Sequence, residues 1–314
     1  MGDLKKIFKR DRFYWGVMMV VMTLLVIYLL TNVYGSYHKL FHLEDYTERA
    51  EYLRELWNTH PDLFDPGRAC MDEIPYVSLE PMVLMTVIAA FIAQAVRLLV
   101  QETQNRTEVL RIFPVKSRNI LTCHYLSGLL MVGIPLLAQA AIIWLNIRYV
   151  EKNTDFIFSN KEQLWLYVGK AVIIFMLYYS LLIVCRKVTN HVPGTIFTFI
   201  VVKMAMEVLA GYCLGIYENL ADDNLFHWAF WAIETIVLIL FSYIADQKKD
   251  DARNGFYAFP VVHWGMMGIV FGEIYFIFHD VYGDAPKVVS VFSAIAASVL
   301  ITTGVHFIAR PKNV

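Results

Sequence analysis

Charge is scarce in this chain. Asp, Glu, Lys and Arg make up 18% of its 314 residues, while 58% are hydrophobic. Soluble domains carry about 25% charged residues. The mean hydropathy is +0.49. Neither sign of charge prevails, since 27 basic residues stand against 28 acidic ones and leave a net charge of −1. No basic arm or patch is left over to grip phosphates, so no nucleic acid partner is expected. Cysteines are few and arhythmic: Cys70, Cys123, Cys185 and Cys213 show no CxxC spacing and read as free thiols. There is no HExxH pair, no persuasive Ser/His/Asp spacing and no GxxxxGKS/T loop to cradle a phosphate. Gly169 and Lys170 come nearest to that loop, but Ala171 follows them inside an apolar run. The nine histidines are scattered and make no ligand set. Hence no catalytic residue, bound cofactor or metal site is expected in this chain, and it cannot be a nucleotide-hydrolysing motor.

What the chain does have is long apolar runs. A helix crossing a bilayer core needs about 20 such residues. Runs of that kind occupy 13–35, 81–100, 120–147, 164–185, 192–216, 226–245, 256–278 and 288–309. The expected fold is therefore all-α, a polytopic membrane helical bundle of six to eight spans, with eight preferred. The first run follows a basic start, MGDLKKIFKRDR, and lacks a small-residue cleavage site, so it reads as a retained span. Most of the 27 Lys and Arg residues fall in alternate connections, including both ends of the chain. By the positive-inside rule that places both termini in the cytoplasm. The implied location is the cell membrane, with several passes.

Local features refine this layout. The outward connection 36–79 is rich in acids, and its Leu43, Tyr46, Ala50, Leu53 and Trp57 fall near helical spacing. An external amphipathic helix lying on the membrane or the bundle is expected there. Pro81 suits the first turn of a helix, and Pro135 should kink the third span. That span outruns a hydrocarbon core of about 30 Å and must tilt or project. Gly268 and Gly272 form a GxxxG suited to close helix packing. Four acidic or basic residues stand out within the spans: Lys203, Glu207, Glu234 and Glu273. Lys203 and Glu207 are four apart and share a helix face. Groups at that depth face protein or water. They are either a polar lining of a pathway or a self-neutralising packing pair. Lys170, also within a span, is placed to snorkel outward.

One polar island interrupts the second and third runs: TQNRTEVLRIFPVKSRNIL, 103–121. Val109, Ile112 and Phe113 give it a small apolar face, Pro114 ends the turn, and Lys116 and Arg118 meet the leaflet. Together with Glu102 it resembles the loop after the second span of ABC-2 type transporter permeases. The matching residues are Glu102, Thr107, Glu108, Leu110, Pro114, Val115, Ser117, Arg118 and Ile120. Arg106 stands at the usual glycine position and His124 where lysine is common. The resemblance covers the six-span layout of 1–245, while 246–314 adds a cytoplasmic connection and two further spans. It implies that 101–118 is a short cytoplasmic coupling helix docking into an ATP-hydrolysing subunit. Glu102, Thr107, Glu108, Leu110, Phe113, Pro114 and Arg118 are the expected coupling residues. It also implies that ATP and magnesium belong to that partner subunit, and that a second permease chain, identical or related, completes the pathway. An exporter of an unidentified substrate is the expected function. The competing readings are an ion-coupled secondary transporter using the four intramembrane charges, and a polytopic membrane enzyme.

Overall fold

The computed structural model describes residues 83–99, 117–153, 163–190, 192–208, 210, 225–248 and 260–281. It also describes isolated helical positions at 16, 19–20, 22–24, 48, 51, 55, 58–59, 291, 295–296 and 299. The described chain is all-helical apart from a short break at Thr189 and Asn190. Its helices are α1, Val83–Leu99; α2, Ser117–Asn153; α3, Gln163–Val188; α4, Val192–Val208; α5, Leu225–Lys248; and α6, Pro260–Val281.

Three stretches are long and apolar enough to cross a membrane: Arg118–Tyr149, Leu164–Val188 and Leu225–Gln247. They coincide with the third, fourth and sixth of the expected spans. α1 is a shorter apolar helix. α4 and α6 occupy the expected fifth and seventh runs. The external segment 36–79 lies outside the described residues except at five helical positions, and the first and last spans are described only at isolated positions. The run Thr103 to Lys116 falls outside them altogether.

Burial explains why these helices hold together. On α1, Leu84, Met85, Ile88, Ile92 and Val96 are exposed, while Thr86, Ala90, Gln94 and Arg97 are buried. The same inversion recurs on α5, where Ile233, Ile236, Val237, Leu240 and Ile244 are exposed and Thr235 and Ser242 are buried. A water-soluble helix does the opposite. Hydrocarbon gives apolar side chains no reason to hide and leaves polar ones to find partners inside the protein. α3 is the most enclosed of the three long helices, with 67% of its apolar window buried against 28% for α5.

α2 is 37 residues long. At about 1.5 Å per residue it reaches roughly 55 Å, well beyond a hydrocarbon core of about 30 Å. Pro135 lies inside it and is where its axis should bend, because the ring removes one backbone donor and crowds the preceding turn. α3 stops for a visible reason. The Thr189 amide donates to the Cys185 carbonyl at 3.1 Å, and the Thr189 hydroxyl donates to the same oxygen at 2.7 Å. The Arg186 guanidinium then donates to the Thr189 carbonyl at 3.3 Å. These bonds satisfy the Cys185 and Thr189 carbonyls at the helix end, and Pro193 sits in the first turn of α4 that follows. Cys123 and Cys185 are buried free thiols, as their spacing implied.

Packing groups the chain into two compact units. One holds Met1–Gln94, Cys123–Met176 and Leu220–Asp223; the other holds Ala95–Thr122, Leu177–Asn219 and Asn224–Val314. In the first, the Gln139 amide of α2 donates to the Thr86 hydroxyl of α1 at 2.7 Å, both buried. Further along α2, Trp144 meets Trp165 of α3 with ring centroids 6.2 Å apart, and Arg148 lies over the Trp144 ring at 5.1 Å. Aromatic rings with a basic neighbour at a helix end are the usual furniture of a membrane–water interface. Lys170 is buried with its ammonium 5.3 Å from the Tyr167 ring centre, so its stem and charge are both sheltered. In the second unit, Val201 of α4 packs with Met266 and Val270 of α6, flanked by Phe197, Val202, Val262, Ile269 and Ile274.

The Gln139–Thr86 bond generates a test. Gln139→Leu should lower stability by about 0.5–2 kcal/mol, the range for interhelical hydrogen bonds in membranes. Thr86→Val should cost less in that background than in the wild type, because the bond between the two side chains is already gone. The measurement is the melting midpoint of the detergent-purified chain. A Thr86→Val substitution that costs the same in both backgrounds counts against the bond.

Candidate functional site

Two polar assemblies lie in the second unit. The first is centred on α4. Lys203 and Glu207, which their spacing puts on one helix face, form an ion pair. Tyr178 of α3 joins them: its hydroxyl donates to Glu207 at 3.3 Å, and the Lys203 ammonium lies 5.1 Å from its ring centre. The Lys203 and Glu207 side chains remain 34% and 42% exposed. They share a face with Ile196, Ile200 and Met204, which are also exposed. A charge pair thus interrupts an apolar stripe. Lipid solvates such a pair poorly, whereas water or a polar partner solvates it well.

The other two acids expected within the spans lie on other helices. Glu273 of α6 lies beside the backbone of Ala205. Ala205 is two residues from both Lys203 and Glu207, roughly 200° around the helix from each. Glu273 therefore meets α4 on its packed side, where one of its carboxylate oxygens is buried. Glu234 lies midway along α5, next to Thr235, whose hydroxyl donates to the Trp231 carbonyl at 2.8 Å.

The second assembly joins the ends of four helices. Lys187, in the last turn of α3, bonds Asp246 of α5 at 2.9 Å; their side chains are only 9% and 6% exposed. One turn earlier on α5, Tyr243 meets the first turns of α2. Its hydroxyl lies 2.9 Å from that of Thr122, and the Arg118 guanidinium sits 5.8 Å from its ring centre. Thr122 has one hydroxyl proton and gives it to the Arg118 carbonyl at 2.9 Å, so Tyr243 is the donor between them. By the same reasoning Thr195 of α4 donates to Thr189 at 2.8 Å, because Thr189 has committed its proton to Cys185. Hydrogen bonds and one buried ion pair thus reach from α2 to α5 to α3, and the threonines continue to α4.

Of the expected coupling residues, Arg118 alone lies among those described, and it is drawn into this second assembly. Glu102, Thr107, Glu108, Leu110, Phe113 and Pro114 lie outside the described residues. Sequence reasoning paired Lys203 with Glu207 but missed Tyr178, which lies 29 residues from Glu207. It also missed Lys187–Asp246, reading the base as a topology signal and the acid as part of a loop. A clue was present. Asp246 falls in the C-terminal part of an apolar helix, where the macrodipole disfavours an anion and calls for a nearby cation.

Comparison with protein-family models, with curated proteins and with solved structures returns no match.

The α4 pair predicts a specific mutational pattern. Lys203→Glu or Glu207→Lys alone places two like charges four residues apart and should reduce the amount of folded protein in the membrane. The double reversal should restore it if the pair serves packing. A double reversal whose yield stays as low as that of the single variants counts against a packing role. Folded yield is measured by the monodisperse fraction in gel filtration.

Proposed function

We propose that this chain is the membrane-spanning permease subunit of an ABC-2 type transporter. In this reading it exports its substrate across the cell membrane, using ATP hydrolysed with magnesium by a separate subunit, and a second permease chain completes the pathway. The sequence of 101–118 is the ground for the family. The observation that carries the mechanism is the setting of Arg118. This last residue of the proposed coupling segment lies in the first turn of a helix of 37 residues, and its guanidinium lies over the Tyr243 ring of another helix. A push on the segment would enter a rigid element at that point. Rigid helices pass displacement along their axes, so work done at one membrane face reaches the other.

The α4 assembly supports a second reading, an ion-coupled secondary transporter. A half-exposed Lys203–Glu207 pair with a tyrosine hydroxyl is a fitting place for a polar pathway in either kind of transporter. The energy source separates the two. Transport through a permease subunit stops when its ATPase is lost, whereas ion-coupled transport stops when the proton or sodium gradient collapses.

Affinity purification of the tagged chain from mild detergent should recover a Walker-motif ATPase. Glu108→Ala or Phe113→Ala should weaken that association or leave ATP hydrolysis insensitive to the permease. Normal binding and coupling in both variants would remove the assigned role of the segment.

A further inference from the structure

We propose that the Lys187–Asp246 ion pair and the Arg118–Tyr243–Thr122 cluster act as one clasp, which sets the position of the first turn of α2 against α5 and α3. The existence of the clasp stands on contacts within one compact unit; its part in transmitting work rests on the transporter reading above.

The geometry supports a single device rather than two separate contacts. Tyr243 and Asp246 are three apart on α5 and therefore neighbours on its surface. Tyr243 holds α2 through the Thr122 hydroxyl and the Arg118 guanidinium. Asp246 holds α3 through Lys187. One turn of α5 thus grips two other helices. Displacing α2 along its axis would break the Tyr243 contacts, and rotating α5 to follow it would pull Asp246 from Lys187.

The chemistry of the ion pair argues against a purely stabilising role. Both partners are almost wholly buried, and desolvating two charges consumes much of what their attraction returns. Asp246 also sits at the unfavourable end of a helix dipole. Two apolar side chains of similar size would hold the helices at least as firmly. What they would not supply is directionality, because an ion pair with a short hydrogen bond tolerates far less sliding than an apolar contact. A clasp of this kind fixes register and opens in one step.

Hydrogen–deuterium exchange on the full-length chain in lipid nanodiscs tests this without any partner. Two variants are compared with the wild type: Lys187→Met with Asp246→Leu, and Tyr243→Phe, which removes one hydroxyl. Each should melt close to the wild-type temperature or above it. Each should nevertheless exchange amides in peptides covering 117–126, the start of α2, about fivefold faster or more, the change expected when a local opening equilibrium loses a modest contact. Peptides from 83–94, in the other unit, should exchange as before. Unchanged exchange over 117–126 in Tyr243→Phe overturns the clasp, even where the double variant fails to fold. Equal acceleration in 83–94 also overturns it, since that is what general loosening produces. Failure to recover an ATPase would count against the transporter reading and leave this result standing.

Discussion

Hydrocarbon offers no hydrogen bonds, and that constraint governs everything else in the described structure. Every backbone amide in a membrane-crossing segment must find its partner within the segment, and helices do this by construction. Polar side chains must turn inward to meet each other. Gln139 reaches Thr86, Tyr243 reaches Thr122, and Thr195 reaches Thr189 because no solvent competes for them on the apolar side. The exposed faces are correspondingly rich in Leu, Ile, Val and Met. In water such a surface would drive aggregation; in lipid it is neutral, and specificity passes to the few buried polar contacts.

In one unit the Gln139–Thr86 bond ties two neighbouring helices together. In the other, polar contacts form a linked series reaching the helix that begins at the end of the polar island. The Lys203–Glu207 pair differs from both groups, because it stays half exposed on a face that is otherwise apolar. An ion pair in that position is costly unless something polar covers it. The proposed permease function accounts for both features, giving the linked series a mechanical task and the exposed pair a wet pathway.

The helices themselves were readable from hydropathy. α2, α3 and α5 fall where the third, fourth and sixth apolar runs predict, and the long third span appears as a 37-residue helix. The Lys203–Glu207 contact was also readable, because a spacing of four puts two side chains on one helix face. Tyr178, Lys187–Asp246 and Tyr243–Thr122 were not. Their partners lie on different helices, and hydrophobic periodicity describes one helix at a time. The helix dipole makes Asp246 need a cation but does not select Lys187 among the bases near the helix ends.

The amino-acid order alone determined that this chain folds as apolar helices and where polar residues interrupt them. Both follow from local composition and from the fixed rise of a helix. The tertiary structure alone decided which polar groups meet: that Glu207 receives a tyrosine hydroxyl besides its lysine, that Glu273 meets α4 on its packed side, and that Asp246 takes Lys187. The physical reason is that helix rotation and helix pairing depend on packing between segments distant in the chain. A single helix carries no record of which neighbour its buried face will find.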